Sequence, residues 1–156
     1  MTPRLMIAMC ALLAAAPAWA EISAEQRIEK EIVEKGPNGE VRLARVAADT
    51  VQPGEEVIYS LSYSNKAADA AEAVVLVIPV PDEITYVEGS ATGENLNILF
   101  SADGGETFVA RGRLTVVEDG RPRAAKGDEI THIKWTLASA LKPSQAGEVS
   151  FRGILK

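Results

Sequence analysis

The segment Val57-Ile58-Tyr59-Ser60-Leu61-Ser62-Tyr63-Ser64 alternates residue by residue along an extended chain. Val57, Tyr59, Leu61 and Tyr63 fall on one side, and Ile58, Ser60, Ser62 and Ser64 on the other. A period of two marks a β-strand with one face in a core and the other mostly solvated. The segment is entered through Val51-Gln52-Pro53-Gly54-Glu55-Glu56, a turn in which Pro presets φ and Gly takes the permissive position.

Further strands follow from this one. Ala73–Ile78 is apolar at every position, which predicts a strand covered on both faces or central to its sheet, ended by Pro79 and Pro81. Ile84–Val87 is a short strand. Asn95–Phe100 places Leu96, Ile98 and Phe100 together, and Thr107–Val109 returns after an Asp103-Gly104-Gly105 turn. Leu114–Val117 and Thr131–Leu137 are strands separated by a polar loop. In the second, Ile133, Trp135 and Leu137 share a face that His132, Lys134 and Thr136 oppose. Val149–Leu155 closes the series, so Tyr59, Leu61, Trp135 and Phe151 should meet between two sheets. At the other end, Glu25–Lys35 carries Ile28 and Ile32 at helical spacing. Its charges and the Gly36-Pro37-Asn38-Gly39 turn before Glu40–Val46 read better as a hairpin at an exposed edge. About nine short strands and no convincing helix predict an all-β, antiparallel, immunoglobulin-like β-sandwich. The expected units are 1–20, 21–48 for the hairpin, and 49–156 for the sandwich.

Residues 1–20 read as a cleavable signal peptide. Arg4 supplies the positive start, Leu5–Ala16 the apolar run, and Ala18-Trp19-Ala20 the small-residue site before Glu21. The apolar run is shorter than the roughly 20 residues a spanning helix needs, and no later segment approaches that length. Cys10 lies inside the run, not where a lipid-modified cysteine would. The whole chain has a formal charge of −6; after cleavage 15 basic and 22 acidic residues remain, hence −7, with no cysteine. That balance excludes thiol chemistry, a disulfide scaffold and Cys-based metal sites in the exported form, and it opposes nucleic-acid binding. A periplasmic or secreted protein is expected, the periplasm being favoured because neither a lipid anchor nor a sorting tail is visible.

Several phrases together resemble a bacterial family. They are Val51–Tyr59, Tyr63-Ser64-Asn65, Val77–Pro81, Glu88-Gly89-Ser90-Ala91, and the run from Thr131 through Trp135 to Val149–Arg152. They are similar to the "conserved repeat domain", domain of unknown function number eleven, over roughly residues 49–156. The resemblance implies an immunoglobulin-like module in an exported or surface protein, structural or adhesive, without catalytic residues to carry over. Larger relatives hold many copies; this chain holds one.

Four constellations offer residue types that could carry chemistry. Ser101-Ala102-Asp103-Gly104-Gly105-Glu106-Thr107-Phe108 resembles the Asp-box turn of sialidases, where the Asp accepts from turn N–H groups. That role is structural, and one copy cannot build a propeller. His132, the only histidine, reads as a solvated strand residue; a Ser-His-Asp triad would lack the G-x-S-x-G elbow. Glu55-Glu56, Asp82-Glu83 and Asp128-Glu129 read as solvated turn charges, with a weak calcium site or a carboxylate pair for glycan hydrolysis as the sharper readings. Arg111, Arg113, Arg121 and Arg123 suggest either a local basic patch or a solvated strand edge. The expectation is a non-enzymatic structural, adhesive or protein-binding module of the cell envelope, without cofactor or metal, whose partner is an envelope protein or glycan. The alternative is an envelope glycan hydrolase, or another hydrolase, using the acidic turns or His132.

Overall fold

The computed structural model describes residues 21–156; the expected signal peptide and the expected cleavage after Ala20 lie outside the described residues. The strands are β1 (Ile22–Lys35), β2 (Val41–Ala47), β3 (Glu56–Asn65), β4 (Val75–Pro79), β5 (Ile84–Tyr86), β6 (Leu96–Ser101), β7 (Thr115–Glu118), β8 (Arg121–Ala124), β9 (His132–Leu137) and β10 (Ala146–Leu155). All pairings are antiparallel. One sheet has the order β2-β1-β3-β10-β5 and a second has β4-β9-β6, while β7 and β8 form a separate two-stranded arm. The chain is an all-β sandwich.

The period of two in β3 explains the packing. Tyr59 faces Phe151 across β3 and β10, and their rings stack with centroids 4.9 Å apart and planes 5° from parallel. Opposite them, Leu76, Trp135 and Ile98 make one row across the second sheet, and Ile78, Ile133 and Phe100 the next. Trp135 and Phe151 are fully buried, and Leu61 packs against the same core. Tyr86 closes the gap between sheets by meeting Phe100 edge-on at 5.4 Å. The Trp135 indole N–H, which would be costly to bury alone, donates to the Thr92 carbonyl at 3.1 Å.

Three expectations are corrected. Ile58 and Ser60 belong to the face read as solvated, yet they are 1% and 0% exposed. The side chains flanking them in register are Glu29 and Arg27 of β1 and Arg152 of β10, whose long stems roof the strand. β4 is an edge strand, not a central one: Leu76 and Ile78 point inward while Val75 and Val77 stay exposed. Residues 107–109 form no strand; the return from β6 is a single bridge between Val109 and Phe100.

β1 and β2 do form a hairpin, but its place differs from a simple edge. Ile22–Glu29 pairs with β3, and Glu29–Lys35 pairs with β2, so the outermost strand is β2. The three-stranded sheet does not reach this flank, which leaves Ile28, Ile32, Val33, Val41 and Leu43 exposed.

Asn65 ends β3 as a buried polar lock. Its amide donates to the carbonyls of Asp69 (2.7 Å) and Leu141 (2.9 Å), and its carbonyl oxygen accepts from the Ala67 N–H at 2.9 Å. Replacing Asn65 by Ala strands these groups at about 1–3 kcal/mol each, so a loss of at least about 2 kcal/mol is expected in urea melts. Trp135→Ala should cost about 3–5 kcal/mol through the cavity it leaves. His132→Ala, three residues away on the opposite face, should cost about 1 kcal/mol or less, and equal urea midpoints for the two variants would contradict the register of β9.

Candidate functional site

The Asp103 turn is built as its residues suggest. The Ser101 hydroxyl donates to Asp103 Oδ1 at 2.6 Å and accepts from the N–H groups of Asp103 and Gly105. Asp103 also accepts from the Thr107 N–H and, at 2.5 Å, from the Thr107 hydroxyl. Thr131 Oγ1 accepts from the Gly104 N–H and donates to the Ser101 carbonyl, tying the turn to the chain entering β9. Gly104 and Gly105 take φ of 77° and 88°, which only glycine adopts freely. The Ser101 hydroxyl, then Thr107, hold the Asp103 carboxyl well below the usual carboxylate range.

His132 pairs with Ser101 in register, and its ring lies against Gly105. It is therefore half-buried under the turn, not the solvated residue expected, and its Nδ1 is enclosed with no hydrogen-bond partner among the described residues. Serine, histidine and aspartate thus come together, but without the connectivity of a hydrolytic triad. There the histidine links the serine to the aspartate. Here Ser101 bonds directly to Asp103 and is 0% exposed.

The other candidates are dispersed. Arg123 pairs with both Glu118 and Glu129, at 2.8 Å and 2.6 Å. With the Lys126 N–H as second cause, it lowers the Glu129 carboxyl to about 2. Arg111 is engaged by Glu88 and by the Ala125 carbonyl. Arg113 and Arg121 are exposed, so two of the four arginines are spent in ion pairs and no four-cation patch forms. These side chains sit on and around the β7–β8 arm. The expected polar loop contains strand β8, which Asp119-Gly120, with φ of 51° and 75°, joins to β7 as a two-residue hairpin turn. Glu56 bonds Arg152, Glu55 accepts from the Gln52 N–H, and Lys156 caps the carbonyls of Asp82 and Glu83. Among the described residues, no three His, Cys, Asp or Glu side chains gather as a metal site.

One site went unread in the sequence. An open cleft of about 520 Å³ lies where the chain after Thr92 diverges from β10. Glu94, Asn95, Leu137, Ser139 and Ala146–Glu148 line it together with Tyr63. Tyr63 is 7% exposed, and its hydroxyl has no hydrogen-bond partner among the described residues. It reaches the cleft because position 147 is glycine; a Cβ there would collide with the hydroxyl. Burial first, and the Glu94 charge second, push the Tyr63 phenol upward. The signal that could have found the site is Gly147 opposite Tyr63 in register.

No family model matches the chain, and neither a curated protein nor a solved structure matches it.

The depressed Asp103 carboxyl has a pH signature. Its folded-state value lies below its ordinary 3.8, so its stabilisation is complete above about pH 4–5 and is lost as pH falls through the folded-state value. Urea melts at pH 7 and pH 3 should show a larger acid loss in the wild type than in Asp103→Asn, which lacks the titrating group.

Proposed function

We propose that this protein is a non-enzymatic, exported β-sandwich module that binds a partner in the cell envelope. The observation that carries the reading is the cleft at Tyr63, where the tyrosine hydroxyl and a strand edge face open space. Elsewhere the reactive residue types are consumed internally: Ser101 and Asp103 by their own turn, Glu129 and Glu118 by Arg123. The A-x-A site at Ala18–Ala20 and the apolar run before it support export, with the periplasm as the compartment. The resemblance to the conserved repeat domain supports a structural or adhesive setting.

Two measurements test this. Protein recovered from the periplasm of the native cell should begin at Glu21, and Met1 in that fraction would overturn export by cleavage. Incubated with chromogenic glycoside, ester and peptide substrates, the same material should show no turnover, whereas turnover abolished by His132→Ala would establish the hydrolase alternative.

A further inference from the structure

We infer that the cleft takes an extended, neutral or basic peptide segment of a partner protein, which adds as a short strand alongside residues 146–149 of β10. This rests on the binding role proposed above and names its ligand.

The main chain supplies the first argument. On its β3 side β10 is paired from Ala146 to Ile154, but on its other side it meets β5 only at Gly153–Leu155 and Thr92 at Ser150. Ser150 exchanges both backbone hydrogen bonds with Thr92, at 2.8 Å and 3.2 Å. Its N–H and C=O therefore point away from β3. Antiparallel strands alternate in this respect, so those of Glu148 and Ala146 point the same way, into the cleft. Two donor–acceptor sets spaced two residues apart match the repeat of an extended peptide, about 3.4 Å per residue, and a sugar ring has no such repeat.

Side chains supply the second. Tyr63 presents a hydroxyl that has no hydrogen-bond partner among the described residues, placed to donate to a peptide carbonyl. No Lys or Arg lines the cleft, while Glu94 stands on its wall without an ion-pair partner among the described residues. A carboxylate brought there would be unpaired, and a basic side chain would be matched. The open edge at β2 differs: most of its residues are exposed, with Arg42 and Arg45 as guards.

The test uses isotope-labelled protein exported by the native cell and the pentapeptide Lys-Thr-Val-Thr-Val, capped at both ends. Titration should shift the backbone amides of Ala146 and Glu148. N-methylation of alternate residues in the peptide should weaken binding at least about tenfold in one register and little in the other, as removal of ladder donors requires. Replacing the peptide's Lys by Glu should weaken it, and Tyr63→Phe, which keeps the ring, should weaken it about threefold to tenfold. Equal loss from both N-methylated registers, or no shift with any peptide, would overturn the inference. A disaccharide of N-acetylglucosamine that shifts these amides when the peptides do not would also overturn it, while leaving the binding role standing. Turnover of either probe would instead overturn the binding role.

Discussion

The pairing of Tyr59 with Phe151 across β3 and β10 is the constraint on which the rest of this structure depends. Once those two rings stack, parity assigns every other side chain of both strands. Val57 and Val149 turn inward with them, and Arg152 and Glu148 turn outward. The same parity aims the backbone of Glu148 and Ala146 toward the cleft. A slip of one residue would send Arg152 into the core and exchange the residues whose backbone groups face the open edge. Hydrophobic burial and the location of the candidate site are thus set by one register.

The outward face produced by that register is ionic yet largely neutral. Arg152 bonds Glu31 and Glu56, Glu31 lies 3.8 Å from Arg45, and Arg45 and Arg27 both approach Glu148. Such a lattice contributes little per exposed pair, but shared partners reduce the entropy lost in ordering each one. Its larger effect is to cover Ile58 and Ser60. The Glu31 carboxyl is held below the ordinary range, first by its Arg152 hydrogen bonds. Charges engaged in this way are poor candidates for recognising a ligand; polar groups left without partners are better ones.

The sandwich was legible in the sequence because alternation in residues 57–64 and 131–137 survives any tertiary context. The Asp103 turn was equally legible, since its contacts are local and its glycines obligatory. What escaped reading was non-local. Ile58 and Ser60 are buried by side chains of β1 and β10, and no pattern within β3 announces that. Residues 73–78 suggested a central strand because β-branched residues suit any sheet position, including an edge. The cleft arises where two segments about fifty residues apart separate, and only the topology reveals the gap.

The staggered position of β1 divides the molecule mechanically. Its first half is laced to β3, whereas beyond Glu29 it is held only by β2 and by scattered side-chain bonds. With no layer of the second sheet above it, the distal hairpin around Gly36–Gly39 has its own, lower free energy of opening. Amide hydrogens there should exchange through local fraying, and those of β3, β9 and β10 only through larger opening. The hairpin can therefore open and close while the core and the cleft keep their shape.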